Sequence, residues 1–128
     1  MRKSKIIIIE DDEVLSEELS HVLSEAGYAV DIALDCYRAQ ELLKKKDYSV
    51  VLLDLKIPGS GKGLFEELKK RTNTNVFIIT GCSVSQAERK FFAFAKHIFI
   101  KPFGIECLIS EITKNTINHK KNIKAKIV

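Results

Sequence analysis

Four short runs set the limits on what this chain can fold into: Lys5 to Glu10 reads KIIIIE, Ser49 to Leu53 reads SVVLL, Val76 to Ile79 reads VFII and His97 to Ile100 reads HIFI. Each is apolar without alternation and rich in β-branched residues, the pattern of a strand covered on both faces. Strands of this kind need helices above and below them, and the intervening segments have to supply these.

They do so at helical spacing. Val14, Leu15, Leu19, Val22, Leu23 and Ala26 form an apolar stripe that Asp12 can cap and Gly27 can close. Tyr28 to Ala33 is predicted as a short strand. Asp35 can cap a helix through about Lys45, with Cys36, Ala39, Leu42 and Leu43 on its apolar side. Further helices are expected from Gly63 to about Arg71, from Ser85 to Ala95, and from Gly104 to about Asn118. Strict alternation of five strands with five helices implies right-handed crossovers and a parallel sheet with helices on both faces.

The 128 residues fit one domain, and 45% apolar with 30% charged residues excludes disordered and collagen-like classes. No apolar run approaches the roughly 18 residues that cross a bilayer, and the isoleucines after Met1 are too few for a signal-peptide core, so a cytoplasmic protein is expected. Cys36, Cys82 and Cys107 are odd in number and widely spaced, and are expected to be reduced thiols, mostly in the core. The net charge of +4 is unevenly placed: Glu10 to Glu13 form an acidic block, and Lys114, Lys120, Lys121, Lys124 and Lys126 collect at the end. That tail has no aromatic interleaving or docking motif, so direct nucleic-acid binding is the disfavoured reading.

Open parallel sheets bind ligands beyond the carboxyl ends of their strands. There the sequence puts Glu10-Asp11-Asp12, Asp54, Thr80-Gly81 and Lys101-Pro102. Carboxylates brought this close repel unless a cation lies among them, and oxygen donors without His or Cys favour Mg2+ or Mn2+. Because Mg2+ keeps few protein ligands beside water and phosphate oxygens, the set suits phosphoryl chemistry. Asp54 is then the nucleophile, Lys101 the charge on the transferring oxygens, and Thr80 a hydrogen-bond partner. Plainer readings stand beside these: the acids as a solvated helix start, Asp54 as a turn residue, Thr80 as a strand residue. His21, His97 and His119 are scattered and read as surface residues.

The segments IIIIEDDE, VVLLDLKIPG, VFIITG and IFIKPF, in that order and spacing, resemble the receiver domain of two-component response regulators. The likeness spans about residues 4 to 118, with 119–128 left as a basic tail or the start of a linker. It implies an α/β, doubly wound (βα)5 flavodoxin-like three-layer sandwich whose parallel five-stranded sheet has the order 2-1-3-4-5. It also implies that Glu10 and Asp11 are the acidic pair, that Asp54 is phosphorylated, that Thr80 is the switch hydroxyl and that Lys101 is the invariant lysine, with the backbone carbonyl of Lys56 binding the ion.

The implied partners are a histidine kinase or phosphotransfer protein, a downstream effector or an output domain missing from this chain, and a second copy in a phosphorylation-dependent homodimer. Such a domain catalyses its own phosphotransfer and dephosphorylation as a signalling device, not as a metabolic enzyme. The resemblance also implies a cis Lys101-Pro102 bond, and it places Cys82 beside the phosphoryl site.

The departures from the family pattern are as specific as the matches. Three residues before Lys101, where an aromatic switch residue is usual, stands Ile98, and Phe99 beside it alternates to the other face. The loop PGSGKG after Asp54 reads one residue long, and Phe94-Ala95-Lys96-His97 lacks the usual Gly-Ala. These features motivate the alternative of a phosphorylation-independent receiver-like binding module.

Overall fold

The computed structural model describes residues 4–115. The domain boundary at 118, His119 and the basic tail 119–128 lie outside the described residues. Along the chain run β1 (Lys5–Ile9), α1 (Glu13–Glu25), β2 (Ala29–Ala33), α2 (Cys36–Lys45), β3 (Val50–Asp54), α3 (Gly61–Lys69), β4 (Asn75–Thr80), α4 (Gln86–Phe91) and β5 (His97–Ile100). A fifth helix, α5, starts at residue 105 and is described to 115.

The five strands form one parallel sheet in the order β2-β1-β3-β4-β5, as the resemblance implied. Pleating divides each apolar run between two cores. Ile7, Ile9, Val51, Leu53, Val76 and Ile78 face α2, α3 and Phe92. Ile6, Ile8, Val50, Leu52, Phe77, Ile79 and Phe99 face α1 and α5, where Leu108 and Ile112 meet them. The four isoleucines of β1 are wholly buried. Their burial removes surface worth roughly 6 to 12 kcal/mol from water, several times what any helix cap contributes. The central strands therefore decide the fold, and the caps adjust its edges.

Those caps lie where the sequence puts them. Asp12 Oδ1 accepts from the Leu15 N–H at 3.1 Å and Asp35 Oδ1 from the Arg38 N–H at 2.7 Å. Gly27, at φ 102°, takes the left-handed turn after α1 that a side chain would strain.

Four expectations need correction. α3 begins at Gly61, two residues before the expected start, because its first turn accommodates glycines that helix propensity disfavours; it ends at Lys69, short of Arg71. The expected helix from Ser85 to Ala95 is regular only from Gln86 to Phe91. Phe92 is drawn into the core, and the Ala93 and Ala95 N–H groups bond back to the Lys90 and Phe92 carbonyls as tight turns. The strands expected from Tyr28 and from Ser49 begin one residue later, and β3 takes in Asp54. Finally, of the three free cysteines only Cys36 is buried. Cys82 lies in the loop after β4 and Cys107 on an exposed position of α5.

Candidate functional site

Strand register brings the site together. Ile9 pairs with Leu53, Asp54 with Ile79, and Thr80 with Ile100. The next residue after β1 is Glu10 and after β5 is Lys101, so Glu10, Asp54, Thr80 and Lys101 share the carboxyl edge of four neighbouring strands. Glu10, Asp54 and Thr80 are buried there, at 1%, 3% and 2% relative exposure, which is far drier than solvated turn residues would be. That burial speaks against a solvated helix start for Glu10 and a solvated turn for Asp54, whereas Asp11 is exposed and keeps the helix-start reading open for itself.

Glu10, Asp11 and Asp54 each offer a carboxylate oxygen within 4.8 Å of the others'. Lys101 Nζ donates to Glu10 Oε2 at 2.9 Å and to Asp54 Oδ2 at 3.2 Å. The other oxygens are fixed by the chain itself: the Asp12 N–H donates to Glu10 Oε1 at 3.1 Å and the Lys56 N–H to Asp54 Oδ1 at 3.0 Å. The second bond folds the loop after β3 back over Asp54 and brings the backbone of Lys56 to the site.

The electrostatics are those of an under-compensated cluster. Burial pushes the Glu10 carboxyl up to about 7; the Lys101 hydrogen bond opposes this, and Asp54 adds to it. Desolvation alone would lower Lys101, but hydrogen bonds and charge from Glu10 and Asp54 outweigh it and hold the ammonium above its ordinary value. One ammonium among three carboxylates leaves negative charge unmatched, so the set fits a small divalent cation with oxygen ligands. No nitrogen or sulfur ligand joins the cluster among the described residues.

Thr80 Oγ1 accepts from the Cys82 N–H at 3.3 Å, and the Thr80 carbonyl accepts from the Lys101 N–H at 2.7 Å. The hydroxyl is thus set by the loop that follows it. Lys101-Pro102 is cis. Ile98 and Phe99 take opposite faces of β5: Ile98 packs half-buried on the α3 side, whereas Phe99 is buried on the α5 side against Phe77 and Phe103. Phe99 therefore does not stand in for an aromatic residue at position 98. His21 pairs with Glu25 on the surface of α1, and His97 stacks on Phe99 with ring centroids 4.3 Å apart.

Two features, one at the site and one apart from it, escaped the sequence reading. The Cys36 N–H donates to the Pro58 carbonyl, and Gly59 sits at φ 104° against Cys36 and Tyr37. This anchors the loop carrying Lys56 to α2; only the Pro-Gly pair hinted at it. The other is an aromatic cluster of Phe65, Phe91, Phe92 and Phe94 between α3 and the chain after α4.

Comparison with known proteins matches residues 6–113 to the response regulator receiver domain family. Over 117 residues the chain is 31% identical to the transcriptional regulatory protein HprR of Escherichia coli, covering 90% of this chain and 52% of that protein. The chain spans about half the length of the curated relatives it matches. In structure it resembles the CheY-like receiver domain protein from Methanospirillum hungatei, with a TM-score of 0.85 at 22% identity over 94% of this chain and 99% of that one. The response regulator TrrA of Thermotoga maritima, solved in complex with Mg(2+)-BeF, matches with a TM-score of 0.74 at 25% identity, over 87% of this chain and 97% of that one. Among the described residues no helix is long and apolar enough to cross a membrane.

Proposed function

The chain belongs to the response regulator receiver domain family, and on that premise we propose that it accepts a phosphoryl group from a partner histidine kinase, or a phosphotransfer protein, onto Asp54. One observation carries the reading: three carboxylates within 4.8 Å of one another, two of them bonded to the same lysine, at the edge where β3 ends in Asp54.

In this reading Glu10, Asp11, an oxygen of Asp54 and the Lys56 carbonyl hold Mg2+, with Mn2+ as a substitute. When bound, the ion supplies positive charge toward the phosphoryl oxygens. The donor set fits it, and the Mg(2+)-BeF complex of TrrA supports the choice.

A carboxylate oxygen of Asp54 attacks phosphorus, the bond from phosphorus to the donor imidazole nitrogen breaks, and that nitrogen keeps the electron pair. The product is an acyl phosphate on Asp54. Lys101, held above its ordinary pKa, keeps its charge across the neutral range and offsets the oxygens that remain. The Thr80 hydroxyl, at the buried end of β4, donates to one of them. Water later attacks the same phosphorus, the bond from phosphorus to the Asp54 oxygen breaks, and inorganic phosphate leaves with the carboxylate restored. The phosphorylated form favours a different surface around α4, read by an effector protein, an output domain or a second copy, in the cytoplasm of a bacterial cell.

Incubating the protein with a small acyl-phosphate donor and Mg2+ should add one phosphoryl group by intact mass. Chelating the metal, or the change Asp54→Asn, should prevent it. Equal mass gain in Asp54→Asn would overturn Asp54 as the acceptor, whereas no mass gain in the unaltered chain, with partner affinity indifferent to Asp54→Asn, would point to a phosphorylation-independent module.

A further inference from the structure

Between α3 and α4 runs a groove of about 420 Å³ lined by Gly61, Lys62, Phe65, Glu66, Lys69 and Phe91. Its floor is aromatic. Phe65 meets Phe91 edge-on at 6.0 Å and Phe92 at 5.5 Å. Of the adjacent pair Phe91-Phe92, Phe92 is 8% exposed and fills the core, whereas Phe91 stays 51% exposed. A half-exposed phenyl ring contributes less to folding than its buried neighbour, and about half of its apolar surface remains available to another surface.

The rim is basic. Lys62 and Lys69 are exposed in the groove lining, and Lys70, Arg89, Lys90 and Lys96 are exposed on the same two helices or in the turns that follow them. None of the six forms an ion pair among the described residues. Arg38 and Lys45 pair with Glu41 and Lys46 pairs with Asp31, whereas exposed Lys5, Lys44, Lys56 and Lys114 are, like these six, without an ion pair among the described residues but are scattered over the surface. Lys69 Nζ instead lies 4.3 Å from the Phe91 ring centre. Of the acids nearby, Glu67 is bound to Arg71 and Glu88 caps α4, so only Glu66 on the groove wall opposes the positive rim.

We propose that this groove docks an acidic segment of a partner protein, one that places an apolar side chain on Phe65 and Phe91 and carboxylates against Lys62 and Lys69. An aromatic anchor ringed by unpaired cations is the complement of an amphipathic acidic peptide. Single-stranded nucleic acid fits less well, since it stacks on a succession of open rings and only Phe91 is open here. The proposal is independent of chemistry at Asp54.

The test is fluorescence anisotropy with the whole chain and three labelled probes: a short peptide mixing Glu with Leu and Phe, the same peptide with Lys for Glu, and an oligodeoxynucleotide. The acidic peptide should bind alone, and added salt should weaken it. Phe91→Ala and Lys69→Glu should each weaken it roughly tenfold, the size of one moderate interface contact, while Lys44→Glu, the same charge change at an exposed position of α2, should leave it unchanged. Equal binding of the basic peptide, preference for the oligonucleotide, no binding of the acidic peptide, or binding unaffected by both groove variants would overturn the proposal. So would self-association that Phe91→Ala abolishes, because it would assign the groove to a second copy.

Discussion

Strands β2, β1 and β3 lie under helices that bury several residues each, Leu19 and Leu23 from α1, where Val14 and Ala26 of the predicted stripe are instead exposed at its two ends, and Cys36, Ala39, Leu42 and Leu43 from α2. At the other side of the sheet, β5 alternates between exposed and covered positions, and α4 buries none of its six residues. Glu10 follows and Asp54 ends a buried strand of the first half, Thr80 ends the equally buried β4, and Lys101 and the exposed Phe91 lie on the thinly covered side. The proposed acceptor Asp54 thus lies on the more deeply buried side of this boundary and the exposed Phe91 on the thinly covered one, where a change in surface costs least.

The largest expected effect probes the more deeply buried half. Leu52 in β3 is wholly buried among Ile6, Ile8, Phe77 and Leu108, so Leu52→Ala should lower global stability by about 4 kcal/mol through lost burial and an unfilled cavity. Urea unfolding measures it. A loss below about 1.5 kcal/mol would show that the centre of the sheet can collapse around the gap, and the contrast between the halves would fail.

The same contrast explains what could be read from sequence. Runs such as IIII and VVLL have one workable environment, so strands, layers and the acidic edge followed from them directly. Segment 85–96 offered no such constraint. In Lys90-Phe91-Phe92 either phenyl ring could face inward, and periodicity favoured one long helix. Packing chose Phe92 and cut the helix short. The departure at Ile98 was legible as a missing ring, but its counterpart, an aromatic cluster moved onto the chain around α4, depends on α3 lying alongside and has no signature in the sequence.

A smaller effect sharpens the comparison from the thinly covered side. The Ser85 hydroxyl accepts from the Glu88 N–H, and the Glu88 carboxylate accepts from the Ser85 N–H, each at 3.2 Å. This reciprocal box is the main local support of α4, which buries no residue. Ser85→Ala should cost about 1 kcal/mol, confined to α4. Amide hydrogen exchange should therefore quicken from Glu88 to Phe92 while the urea midpoint barely moves. An equal change across β1 and β3 would mean that the halves open as one unit.

The smallest effect lies at the β2 edge, where the more deeply buried half meets water. Asp31 Oδ2 accepts from the Tyr48 hydroxyl at 2.6 Å and from Lys46 Nζ at 3.1 Å. Desolvation is the largest single influence and pushes the Asp31 carboxyl up, yet Tyr48 and Lys46 together outweigh it and hold it below 3.8. Desolvation, then the bond to Asp31, push the Tyr48 phenol well above 10.0. A carboxyl lowered in the folded state adds stability that is full above its unfolded value and fades as pH falls through the folded one. A phenol raised in the folded state adds stability that is full below 10.0 and fades above it. With the Asp31 side chain 33% exposed, solvent screening keeps the contribution under about 1 kcal/mol. Asp31→Asn should accordingly lower Tm slightly and evenly between these limits, and the two curves should converge in acid below the carboxylate range. A gap that stayed constant down to full protonation would mean that Asp31 acts through packing and not through its charge.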